Sequence, residues 1–89
     1  MNKAYKKELV KLLVGIKDAR LMRDFLEDLF SPAEFNDIAK RWQLVKQLAR
    51  GVTQREISGN LRVGVAKITR GSRMLLNKTG GFNKVLRKP

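Results

Sequence analysis

The stretch TQREISGNLRVGVAKITRGSR, residues 53–73, decides the fold. It reads as a short helix, a break, and a second helix. Seven of its residues can donate strong or charged hydrogen bonds: Gln54, Arg55, Arg62, Lys67, Thr69, Arg70 and Arg73. Glu56 is its one acid, and the TQRE spacing explains it. Thr53 is an N-cap and Glu56 sits three places on, the pattern of a capping box. A carboxylate there is also favoured by the helix dipole. Ile57 and Leu61 face inward on the first helix, and Val63 and Ile68 complete a lock between the two. Ser58 stands where close helix packing wants a small side chain. Gly64, Val65 and Ala66 make the start of the second helix slim, and Lys67, Thr69 and Arg70 follow. These are the requirements of a helix-turn-helix, which places its second helix in the major groove of DNA.

Upstream, SPAE at 31–34 is a second capping box, with Ser31 as N-cap and Pro32 at the first helical position. The helix it opens carries Phe35, Ile38, Trp42, Val45 and Leu48 on one face. Gly51 ends it as a left-handed cap. Further back, Tyr5, Leu9, Leu12, Leu13 and Ile16 form one apolar stripe. Leu21, Met22, Phe25, Leu26, Leu29 and Phe30 form another, with a break near Lys17–Asp18. Downstream, Val65, Ile68, Leu75 and Met74 are expected to anchor the second helix of the pair. NKTGG ends it, and FNKVLRK is a terminal turn or short helix. The sum is an all-α single domain over 1–89 with about six short helices. Residues 1–30 are read as dimerisation helices, 31–51 as a core helix, 53–77 as the reading head and 78–89 as a C-terminal turn or short helix. The wide apolar faces before residue 30 are too large for a small chain to hide, so the expected assembly is a homodimer.

The 89 residues carry a net charge of +12, and its distribution is lopsided. Residues 1–37 balance seven basic groups against seven acids, whereas residues 38–89 carry thirteen basic groups against Glu56 alone. Such asymmetry points to a polyanion partner. Cysteine and histidine are both absent, so no disulfide framework and no zinc-type cluster exists. No catalytic set or glycine-rich phosphate loop is present, which argues against an enzyme. MNKAYKKELVKLLVGIK interrupts its apolar positions with Lys and Glu, unlike a secretory segment or membrane span. A soluble, cytoplasmic protein is expected. Trp42 and Phe35 fall on the apolar stripe and are read as core, not as base-stacking platforms.

QREIS…L…VAKITRGS resembles the Trp repressor family, and the likeness extends back through SPAEFNDIAKRWQLVKQLARG. It covers roughly residues 25 to 77, while the closing TGGFNKVL resembles a related branch of the superfamily. The resemblance implies an intertwined all-helical homodimer that binds operator DNA as a transcriptional regulator, with L-tryptophan as corepressor. It implies that Arg41 and Arg70 sandwich the indole ring. It implies that Gly71 lets the ligand approach the helix, and that Ser31 stands near the ligand's amino group in place of a threonine. Met74 occupies the position of a serine that holds the amino group. A thioether cannot donate and is only a weak acceptor, so one polar contact is lost. Lys67 replaces a smaller polar residue at the DNA face, and Arg62 stands where a glycine is usual. The DNA-facing set is then Gln54, Arg55, Ser58, Gly64, Val65, Ala66, Lys67, Thr69 and Arg73. The ligand set is Ser31, Arg41, Arg70, Gly71 and Met74.

Two alternatives from other classes stay open on the residues themselves. A nucleoid-type or RNA-binding basic protein needs the charge but not the capped, slim reading head, and random duplex would compete fully with its target. A protein-interaction module with a basic face would leave no defined footprint on DNA.

Overall fold

The computed structural model describes residues 2–88 and is all-helical, with no strand among them. The helices are α1 (Lys3–Gly15), α2 (Ala19–Leu29), α3 (Pro32–Ala49), α4 (Gln54–Leu61), α5 (Val65–Leu76) and α6 (Gly81–Leu86). Each break falls where the residue chemistry demands one. Asp18 caps α2, its carboxylate accepting the Arg20 amide at 3.1 Å. Ser31 and Glu34 close a full box at the start of α3: the Ser31 amide donates to Glu34 Oε1 at 2.8 Å, and the Glu34 amide donates to Ser31 Oγ at 3.2 Å. The Ser31 amide first, and its side chain second, hold the Glu34 carboxyl below its ordinary value. Because the folded value is the lowered one, this contribution is complete above the ordinary carboxylate range. It is lost as pH falls through the lowered value. Gly51 sits at φ 85° and turns the chain out of α3, as a left-handed cap should.

The packing falls into two compact units, Met1–Phe35 and Asn36–Pro89. In the first unit neither α1 nor α2 buries a single residue. Tyr5, Val10, Val14 and Leu21 are each more than half exposed. The two stripes legible in the sequence therefore form helices with apolar faces but no core.

The core lies in the second unit. Leu44, Val45, Ile57, Val63 and Ile68 are buried together, with Trp42, Leu48, Val52, Leu61, Leu75, Phe82 and Leu86 packed around them. Ile57, Val63 and Ile68 are the lock expected of the helix pair, and Leu61 contributes from its edge. Two expected anchors differ. Val65 is 67% exposed and holds nothing, because it is the first residue of α5 and no other element covers that end. Met74 is 42% exposed and stands outside the buried cluster. Leu44, absent from the expected face of α3, is almost fully buried.

Candidate reading head and ligand cleft

Helices α4 and α5 are positioned by their turn. Thr53 caps α4, its Oγ1 accepting the Glu56 amide at 3.2 Å. Arg62 ends the helix at φ 54°, the left-handed conformation that glycine adopts freely and an L-residue adopts at a cost of roughly 1–2 kcal/mol. The Ser58 hydroxyl donates to the Val63 carbonyl at 3.0 Å across this turn. That bond satisfies a carbonyl inside a half-buried corner. Ser58, expected at the DNA face, therefore spends its hydroxyl on holding the two helices together. Gly64 then caps α5 in an extended conformation with no side chain to crowd the approach.

Around α5 the side chains sort into three stripes. Ile68 and Leu75 face the core. Lys67, Arg70, Gly71 and Met74 recur at i, i+3, i+4 and i+7 and line a cleft. Ala66, Thr69 and Arg73 recur at i, i+3 and i+7 on a third, exposed stripe away from that cleft. Gln54, Arg55, Gly64 and Val65 are exposed as well. All of the expected DNA-facing residues except Ser58 are thus at the surface, but Lys67 is on the cleft wall. Its Nζ lies 3.7 Å from Asp37 Oδ1 of α3. The pair is more than half exposed on both sides and contributes little by itself.

The cleft lies within the second unit. Asp37, Lys40, Arg41 and Leu44 of α3 form one wall, and the four α5 residues form the other. Val63 and Phe82 complete the lining. About 480 Å³ of open space lies among these side chains, part of it continuous with solvent. Arg41, Arg70, Gly71 and Met74, expected together at a ligand, are brought together here. Ser31 belongs to the other unit, where its hydroxyl caps α3. Gly71 is where the walls meet: a Cβ there would lie 2.5 Å from Leu44 Cδ2 and 3.2 Å from Leu48 Cδ1. Its small size is set first by helix packing.

Sequence reasoning missed Asp37, Lys40 and Phe82. The first two share the spacing 37, 40/41, 44 with Arg41 and Leu44, a signal that was available. Phe82 gave none, since α6 must fold back to present it. It does so because Asn83 Nδ2 donates to the Leu75 and Asn77 carbonyls at 3.0 and 2.8 Å, tying α6 to the end of α5. Phe82 then packs on Trp42 with ring centroids 6.4 Å apart. No group of metal-ligating residues occurs among the described residues. Nor is any described helix long and apolar enough to cross a membrane.

The family model described as "Trp repressor protein" matches residues 5–89. The Trp operon repressor homolog of Chlamydia trachomatis serovar L2 is 41% identical over 69 residues, covering 72% of this chain and 73% of its own. That of Vibrio parahaemolyticus is 34% identical over 73 residues, covering 81% and 71%. No solved structure gives a significant match. With a capped helix-turn-helix, an arginine-walled cleft beside its second helix and a match over nearly its whole length, the chain belongs to the Trp repressor family of transcriptional repressors.

Proposed function

We propose that this chain is a homodimeric repressor that binds a specific operator in cytoplasmic duplex DNA through α4 and α5. A small aromatic ligand, L-tryptophan or a close relative, acts as corepressor in the cleft. The observation that carries the reading is the division of α5 into an exposed polar stripe and a cleft stripe on one rigid helix. A ligand pressed against Arg70 and Gly71 biases the placement of Thr69 and Arg73. Basic side chains and helix N-termini fix register on phosphates, and base edges are read by Arg55 and the start of α5.

The dimer is supported by the bare apolar faces of α1 and α2, which a second copy would cover. Light scattering should give about twice the chain mass; a folded monomer would remove this part of the reading.

The direct test selects duplexes from a random pool, then titrates the selected site with and without millimolar L-tryptophan. Ligand and DNA should strengthen each other by a coupling of about 1–3 kcal/mol. Coincident curves with no heat of ligand binding would leave a ligand-independent binder. Full competition by random duplex would favour the nucleoid-type alternative. Arg55→Ala is expected to cost roughly 1–3 kcal/mol on the selected site and to relax base preference there. Lys78→Ala, if Lys78 touches only phosphate, should weaken all duplexes alike. Equal losses on specific and random DNA for Arg55→Ala would show that Arg55 reads no base.

A further inference from the structure

Helix α4 and its turn hold two residues that folding alone disfavours. Arg62 sits at φ 54°, where an L-residue is strained. Gly59 lies inside α4, and a Cβ built there meets no neighbour within 4 Å. Alanine would fit at that position and would favour the helix. Nothing inside the chain offsets either choice. Among the described residues the ion pairs are Arg23–Glu27 and Lys67–Asp37, and Arg62 joins neither. Its guanidinium also donates none of the side-chain hydrogen bonds among those residues. The helix dipole favours a cation at the end of α4, but a lysine or arginine within the last turn would supply that without strain.

Arg55, Gly59 and Arg62 recur at i, i+4 and i+7, so they share one side of α4, and all three are exposed. That side runs about 10 Å along the helix axis. Gly59 leaves its middle bare, and Gly64 beyond the turn is equally open. In a helix-turn-helix the first helix crosses the duplex backbone. We propose that Arg62 is a phosphate-contacting residue: its guanidinium meets a backbone phosphate of the bound duplex, and the bare surface at Gly59 lets that strand approach α4. The inference rests on the DNA-binding reading above and adds to it a residue at the turn. The planar fork of arginine matches phosphate oxygens with two parallel hydrogen bonds. The strained backbone is then offset in the complex, and the contact fixes register without reading sequence.

Arg62→Gly and Arg62→Lys separate the contact from the fold. Glycine removes both the charge and the strain, so the thermal midpoint should hold or rise while DNA binding weakens. The full chain is titrated with the selected site and with random duplex, between about 50 and 200 mM salt. Arg62→Gly should weaken both duplexes by a similar factor, roughly tenfold or more for a dimer at about 0.1 M salt. The slope of log affinity against log salt should flatten by about 0.9 per protomer. Arg62→Lys keeps the charge and the strain, so its slope should match the wild type and its midpoint should not rise. An unchanged slope in Arg62→Gly, whatever the affinity, would show that Arg62 meets no phosphate, while the DNA-binding reading stands. A flattening in Arg62→Lys equal to that in Arg62→Gly would show that the positive charge is not what binds. A loss confined to the selected site would make Arg62 a base reader. Each of these overturns the proposal. If the wild type binds neither duplex, this proposal and the DNA-binding reading fall together.

Discussion

Ile68→Ala is expected to destabilise the second unit by about 2–5 kcal/mol, enough to compromise folding of a chain this small. Ile68 is 1% exposed and shares its cluster with Leu44, Val45, Ile57 and Val63. A core of five buried residues has few neighbours to relax into the space left by a lost side chain, so most of the cavity would remain. Alanine's better helix propensity returns only a few tenths of a kcal/mol and does not offset this. The loss would also loosen α5 against α4, because Ile68 and Ile57 belong to the buried cluster that the two helices share. Urea unfolding followed by circular dichroism, with DNA affinity measured in parallel, reads both effects. Val65→Ala is the control: Val65 is on the same helix but 67% exposed, and its substitution should stay within about 0.5 kcal/mol. Equal midpoints for the two variants would mean that Ile68 does not support the lock.

Gly71→Val should have the second largest effect, and it should act on stability and ligand together. The first added carbon already meets Leu44 Cδ2 at 2.5 Å, and Leu44 is itself buried with little room to turn away. Overpacking of this kind costs about 1–3 kcal/mol. The usual gain from replacing a helical glycine is small for a β-branched residue, so it does not cancel the clash. Parting α5 from α3 would also move Arg70 relative to Arg41. Binding of indole ligands should fall further than the loss of folded protein explains. The check is calorimetry at a temperature where circular dichroism shows the variant folded. Wild-type midpoint and wild-type ligand affinity together would show that the contact at Gly71 is slack.

Much of this was legible along the chain because it depends on neighbours. Ser31, Thr53 and Gly51 announce helix ends through bonds and dihedrals that span three or four residues. Arg41, Arg70, Gly71 and Met74 were found by resemblance and do meet in one cleft. The errors share a different cause. Val65 has the right spacing to be core, but spacing cannot tell that no element covers the end of α5. Ser58 was read as the small residue at the helix packing and also placed in the DNA-facing set; its hydroxyl donates to the Val63 carbonyl across the turn. Lys67 is exposed, as expected, and its position three residues before Arg70 and four before Gly71 also puts it on their stripe. Asp37 could have been found from its helical spacing to Arg41 and Leu44, whereas Phe82 joins the cleft only through packing between distant segments, which no local pattern encodes.

The Ser58–Val63 bond and the Ile57–Ile68 contact have a kinetic consequence. Both join residues close along the chain, and closing a loop of about ten residues takes roughly 10–100 ns. Residues 53–73 contain no proline, so no slow peptide isomerisation stands between the unfolded and folded head. Structures built from local contacts fold in roughly microseconds to milliseconds. If α4 and α5 loosen when DNA is released, they should re-form before the next encounter. Stopped-flow refolding of the second unit's helical signal should then contain no phase in the seconds range that arises from this head.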